Sequence, residues 1–261
     1  MKLKYPAEAF ALGIILFSAG MKEAFAAGIL MILTAVFAEF LKDLLENRVP
    51  EWSLRLCVYI ASASVCSSVF LTGFAALGIQ LESGVWLLTF AAGLLCAHQA
   101  LRSVGAGKEE EAASYGELLW ESAVSWGFWI ILAIVREFAG SGQIFGNTIW
   151  KAGFQSKAFL DVYFAFIAAG LVLAFTNGVL KKECRRENSF LAVIPAMLVF
   201  KPFTTSLLPE ALEVLWCMAV PVLLFFSVKQ TLRFSRVSRA YRGLPVDLLA
   251  AGLIYMVLSI Y

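Results

Sequence analysis

No polar stretch in this chain is long enough to fold as a soluble domain: only 15% of its 261 residues are charged, against 61% hydrophobic. A mean hydropathy of +0.80 puts more apolar surface on the chain than one water-soluble domain can bury. The composition therefore excludes a soluble enzyme or binding module and leaves a polytopic membrane protein. Histidine occurs once, at His98, and the cysteines at 57, 66, 96, 184 and 217 have no C-x-x-C spacing. These gaps exclude a disulfide framework and, on spacing alone, a metal site. No nucleotide-binding or covalent flavin motif is present. The net charge of +2 points to no nucleic acid, because the basic residues cluster beside apolar segments. Met1-Lys2-Leu3-Lys4 has the look of a signal peptide but no small-residue cleavage site follows it, so a first helix that is kept is expected.

What is present are apolar runs. They recur about nine times, each near the roughly 20 residues that cross a bilayer core. They fall near 6–20, 24–42, 53–77, 84–101, 118–138, 158–180, 190–208, 211–228 and 245–261. The expected fold is an all-α polytopic membrane protein. Tryptophans at 52, 86, 120, 126, 129, 150 and 216 fall mostly near span ends, as in an aromatic belt.

Lysine and arginine set the orientation. The loop at 181–188 holds Lys181, Lys182, Arg185 and Arg186, and that at 229–242 holds Lys229, Arg233, Arg236, Arg239 and Arg242 without an acid. Two spans separate these loops, so both fit the cytoplasm. Counting outward puts the N-terminus in the cytoplasm and the C-terminus outside. Glu109, Glu110 and Glu111 in the loop at 102–117 form a solvated acidic run that weighs little in this rule.

The spans starting near 6, 84 and 190 are short or interrupted, by Gly13 and Gly20, by Gly84 and Gly93, and by Pro195 and Pro202. Discontinuous helices at corresponding positions mark repeat-built membrane proteins. Their return at every third span predicts three-helix units related as inverted repeats, with helices 1, 4 and 7 broken. Lys201 lies in one of these segments, beside Pro202 and before Thr204, Thr205 and Ser206. A charge there is costly in lipid, so it faces protein, water or the interface. It is a candidate for an ion or substrate path, or a side chain that snorkels to a helix end.

Arg136 and Glu137 end the apolar run that begins near Leu118, and Gly140, Ser141 and Gly142 follow at once. The charges mark the water boundary and the glycines permit an abrupt helix end. Arg136-Glu137-Phe138-Ala139-Gly140-Ser141-Gly142-Gln143-Ile144-Phe145-Gly146 resembles the Arg-Glu, Gly-Ser-Gly, Phe-Gly signature after the fifth helix of the D/E-type membrane subunits of Rnf and Na+-translocating NADH:quinone oxidoreductase (Nqr) complexes. The stretch from Ser238 to Leu253, with Arg242-Gly243-Leu244-Pro245 at its centre, resembles the loop and last helix of the sister A/E-type subunits.

The resemblance implies a six-helix D/E-like unit over residues 1–187 and an A/E-like three-helix unit over 188–261. It implies that the Gly-Ser-Gly turn faces outward and the Arg-Gly-x-Pro loop the cytoplasm, as the loop charges also have it. The implied function is that of a membrane subunit in a complex that couples ferredoxin or NADH oxidation to Na+ or H+ translocation. The implied partners are the lipid bilayer and other membrane subunits, and the implied location is a bacterial or archaeal cytoplasmic membrane.

In that family, two sister subunits each supply two cysteines to a [2Fe–2S] cluster at the membrane midplane. Cys96 stands about where the second cysteine would fall, but in a Gly93-Leu94-Leu95-Cys96-Ala97-His98 context rather than Thr-Asn-Cys. Leu12-Gly13-Ile14-Ile15 holds the place of the first without a thiol, and the corresponding place in the seventh span is near Lys201. Cys96 is thus either a ligand shared with a partner or a buried inert thiol, with His98 as an accessory ligand or an ordinary polar residue. A cluster requires partner subunits to supply the other ligands. The alternative expectation is a cluster-less relative that serves as a structural or ion- or solute-conducting membrane protein. No catalytic residue is assigned.

Overall fold

The computed structural model describes residues 3–102, 108–150, 153, 155–182, 189–200, 209–231 and 242–258. Lys201 and Cys184 lie outside these residues. The described residues form nine α-helices: α1 (Ala7–Phe17), α2 (Met21–Glu46), α3 (Glu51–Ala76), α4 (Ser83–Leu101), α5 (Lys108–Ser141), α6 (Val162–Leu180), α7 (Ser189–Phe200), α8 (Glu210–Thr231) and α9 (Leu244–Leu258). Between α5 and α6 lie a short hairpin, β1 (Gln143–Ile144) with β2 (Asn147–Thr148), and a 3-10 turn, η1 (Lys157–Leu160).

Five segments are long and apolar enough to cross a membrane: α2, α3, α4, Tyr115–Ser141 of α5, and α6. Their outward faces carry Leu33, Ile60, Trp86, Ile131 and Val179, all exposed. Helices that are apolar on both the inner and outer faces suit a lipid surround, since each satisfies its own backbone.

Hydrogen bonds between helices fix their sense. Asp43 near the end of α2 accepts from Tyr115 at 2.5 Å, Lys22 at its start donates to Leu77 O at 3.4 Å, and Gln99 late in α4 donates to Leu3 O at 3.0 Å. Consequently α1, α3 and α5 run one way and α2 and α4 the other. Trp52 and Trp120 then lie on the side of the α1 N-terminus, and Trp86 and Trp150 on the opposite side, all exposed. Two aromatic belts bound an apolar layer.

The first expected span, 6–20, is an 11-residue helix, α1. At a rise of ~1.5 Å per residue it is about 16 Å long, too short to cross alone. Nine of its residues are buried, and Phe17 at its end stacks on Phe70 and Phe74 of α3 with centroids 5.5 and 4.6 Å apart. Lys22 and Glu23, which fall between the expected spans 6–20 and 24–42, belong to the first turn of α2; the turn is Ser18-Ala19-Gly20, with Gly20 extended at the N-cap. The fourth span is uninterrupted over 19 residues in α4. Gly93 does not break it, because a Cβ there would stand 2.7 Å from Ala63 Cα, Ser62 O and Cys66 Cβ. Its missing side chain is what lets α3 and α4 touch backbone to backbone. The seventh span continues through Pro195 to Phe200, and 201–208 lie outside the described residues.

The expected boundary at 187/188 also lies outside the described residues. On either side of it the helices share one apolar core: Phe166 of α6 stacks on Tyr255 of α9 at 5.1 Å, and buried Val193 and Ala196 of α7 join the same cluster as Phe10 and Leu12 of α1.

Candidate functional site

Lipid is as apolar as a protein interior, so burying Phe10, Leu12 and Ile14 inside the bundle gains little by itself. The costly parts of a short buried helix are its ends, where backbone N–H and C=O groups lack helical partners in a low-dielectric medium. Side chains from α5 meet both ends of α1. Glu121, 1% exposed, accepts the Lys4 N–H at 2.6 Å and the Tyr5 N–H at 3.1 Å through Oε2. Its Oε1 accepts from Lys182 Nζ at 2.5 Å, and Lys182 also lies 3.6 Å from Glu117 Oε2. Burial lowers the Lys182 pKa, but the Glu121 and Glu117 carboxylates outweigh this and hold it above the ordinary lysine value. Midway, the buried Trp129 meets Phe10 edge-on at 6.3 Å, and its ring would stand 2.9 Å from a Cβ on Gly13.

At the other end, Arg136 is 1% exposed and splits its donors among neutral acceptors. Nη1 donates to Ser18 Oγ, Nε to Phe159 O at 3.0 Å, and Nη2 to Leu160 O and Asp161 O at 3.2 Å each. Its guanidinium lies 5.8 Å from the centre of the Phe164 ring. Ser18 is the C-cap of α1 and the three carbonyls sit at the end of η1, so the cation faces groups that carry partial negative charge. Only the planar fork of arginine reaches acceptors on two elements at once.

Glu137 faces the other way. Its Oε2 accepts the Met21 N–H that begins α2, and its Oε1 the Gly146 N–H in the hairpin turn, both at 2.8 Å. A carboxylate at a helix N-terminus is favoured by the dipole and fills an orphan donor. The rest of the motif ends the helix and turns the chain. Ser141 Oγ donates to Glu137 O at 2.8 Å and accepts from the Gln143 N–H at 3.3 Å. Gly142 has φ 71°, and a Cβ on it would meet Trp150 O at 2.2 Å. Gly140 lies under Leu160, whose Cγ would be 2.5 Å from a Cβ. Phe145 at φ 59° and Gly146 at φ 79° make the two-residue turn joining β1 to β2.

The structure thus gathers Arg136, Glu137, Gly140, Ser141, Gly142, Phe145 and Gly146 at one junction of α1, α2, α5 and the hairpin. The polar side chains among them, Arg136, Glu137 and Ser141, are engaged in holding elements together. The second motif lies elsewhere: Gly243, at φ 84°, precedes α9, and Pro245 is buried in its first turn, its carbonyl 2.8 Å from where a Cβ on Gly170 of α6 would stand. Arg242 is exposed. Glu121 was not singled out from the sequence; the signal available was an acid inside the apolar run that starts at Leu118.

Cys96 is 2% exposed, one turn beyond Gly93 on the helix that packs on α3, where Cys66 is buried too. A partner chain would reach Cys96 only if that packing opened. His98 is committed elsewhere. Arg102 Nη2 lies 3.1 Å from its Nε2 and can only donate, so Nε2 accepts, and Nδ1 carries the proton toward Tyr59 Oη at 2.8 Å. Among the described residues no group of three or more His, Cys, Asp or Glu is placed to hold a metal ion. Among the described residues, the two buried thiols fall short of the four ligands that a [2Fe–2S] cluster takes.

Fold and junction together define an α-helical integral membrane protein whose short first helix is clamped at both ends by one spanning helix. No family model, curated protein or solved structure matches the chain.

Proposed function

We propose that this chain is a membrane subunit of an Rnf/Nqr-like complex that couples ferredoxin or NADH oxidation to Na+ or H+ movement, and that it contributes part of the helix bundle rather than a cofactor. The observation that supports this reading is the use of the Arg136-Glu137, Gly-Ser-Gly and Phe-Gly positions. Each resembles the family signature and each has a distinct part in joining α1, α2, α5 and the hairpin. Three-helix units related as inverted repeats, a D/E-like unit over 1–187, an A/E-like unit over 188–261, and Lys201 on an ion or substrate path belong to the same proposal. So do a bacterial or archaeal cytoplasmic membrane, a cytoplasmic N-terminus and an outer C-terminus.

The test is purification of the full chain with its co-purifying membrane subunits, followed by iron analysis and visible absorbance. Co-purification with redox subunits supports the proposal; an intact complex without iron, iron–sulfur absorbance or flavin removes its redox part. For orientation, a thiol label on Gly153→Cys, an exposed position with open space around it, should react from outside the cell, and reaction only from the cytoplasm would invert the topology.

A second reading, a cluster-less relative with a structural or ion- or solute-conducting role, is favoured by the sealed surroundings of Cys96. It predicts that Cys96→Ala leaves the metal content of the purified complex unchanged.

A further inference from the structure

The hairpin after α5 folds back toward the membrane. Glu137 lies one turn before the end of α5 at Ser141, about 6 Å short of it along the axis. The carboxylate of Glu137 nevertheless holds the Gly146 N–H, at the tip of the hairpin, and the Met21 N–H, at the start of α2, each at 2.8 Å. The tip therefore lies beside the first residue of α2, within reach of a side chain rooted one turn before the end of α5. Residues 121 to 141 of α5 rise about 30 Å, the thickness of a bilayer core. A layer of that thickness laid on residues 121 to 141 has the hairpin tip near its limit on the Glu137 side.

The residues placed there suit lipid. Phe145 is 47% exposed, Ile149 61% and Trp150 65%. No charged residue occurs between Glu137 and Lys151. The turn also holds its bulky residue at a cost. With φ positive at both central positions it is of the kind that favours Asn-Gly, yet Phe145 takes the first place at φ 59°. A bulky side chain in the left-handed region costs on the order of 1 kcal/mol, and such strain persists only where neighbouring contacts enforce it. Here the Glu137 carboxylate is that contact, and the result is an aromatic ring turned out of the protein at interface depth.

The geometry points to the β1–β2 hairpin as a lipid-interface anchor, with Phe145 and Ile149 set among phospholipids at the boundary of headgroups and acyl chains in the leaflet on the Glu137 side. Trp86 and Trp150 lie on that same side of the bundle, where indole rings favour the headgroup layer. This assignment rests on the membrane-spanning fold and not on any redox role.

The test uses the full chain with Phe145→Trp, reconstituted in phosphatidylcholine vesicles with and without phosphatidylcholine brominated on the acyl carbons nearest the glycerol. The emission added over the wild type should be blue-shifted, should lose most of its intensity with the brominated lipid and should be spared by aqueous iodide. Added emission quenched by iodide and spared by bromine would place the ring in water and overturn the inference. As a second measurement, a photoactivatable benzophenone residue at position 149 should give a lipid adduct by mass. A protein adduct, to a partner or to a second copy, or no adduct, would overturn it as well.

Discussion

Arg136 donates to the hydroxyl of Ser18, 118 residues away in sequence, while its Nε and Nη2 donate to the carbonyls that end η1. One buried cation thus ties the C-terminal end of α1 to the segment leading into α6. Replacing it removes four hydrogen bonds and leaves carbonyls without donors in a dry site. Arg136→Met should lower stability by about 3 kcal/mol or more. Arg136→Lys should recover only part, because an ammonium cannot reach both elements in one plane. Thermal unfolding in nanodiscs, followed by tryptophan fluorescence, checks both; equal midpoints for the three proteins would refute the clamp.

The two N–H groups held by Glu137 belong to elements distant in sequence, so its loss should loosen them together. Glu137→Met keeps the length but removes both acceptor oxygens, and should cost about 1–3 kcal/mol. Hydrogen exchange should quicken at Met21 and Gly146 in parallel. Faster exchange at only one of them would show that the carboxylate does not couple the α2 start to the hairpin.

At the opposite end of α1, Lys182 carries the pH dependence. Burial lowers its pKa, yet Glu121 and Glu117 raise it above the ordinary 10.5, so its contribution is complete below that value and is lost as pH rises through the higher folded value. The stability difference between wild type and Lys182→Met should stay constant through neutral and mildly alkaline pH and close only in strong alkali. Thermal midpoints measured across that range decide it. A difference that instead closes between neutral pH and 10.5 would mean that Lys182 is not held above its ordinary value.

Glycines in the spans separate cleanly by what surrounds them. Gly93→Ala would press a methyl against the backbone of Ala63 and Ser62 at 2.7 Å, which cannot swing aside. It should destabilise by about 1–3 kcal/mol. Gly127→Ala, in α5 with nothing within 4 Å of the added carbon, should be neutral or stabilising by up to about 1 kcal/mol through helix propensity. Unfolding midpoints of the two variants should move in opposite directions or at least differ by that margin.

Much of the architecture was legible in residues that act locally. The apolar runs that became α2, α3, α4 and α6 lie where their hydropathy placed them, because lipid selects each segment on its own composition. The helix end near Ser141 and the turn after it followed from the Gly-Ser-Gly run, in which Gly142 takes a φ of 71° that its lack of a side chain permits. Gly93 was misread as a break, since sequence cannot tell a glycine that ends a helix from one that admits a neighbour. Only the position of Ala63 across the interface distinguishes them.

By itself, then, the sequence determined that this is a helical membrane protein, where most of its spans run, and that a charged pair followed by glycines ends the fifth. The tertiary structure alone decided that α1 is a short buried helix, that Glu121 holds its start, that Arg136 closes its end, and that the hairpin tip shares the Glu137 carboxylate with the start of α2. The physical reason is one of range. Transfer to lipid and backbone freedom are properties of a segment. The partner of a buried polar group depends on which segment lies across from it, and here those partners, Lys4 and Tyr5 for Glu121, Ser18 for Arg136 and Met21 for Glu137, stand 116 to 118 residues away.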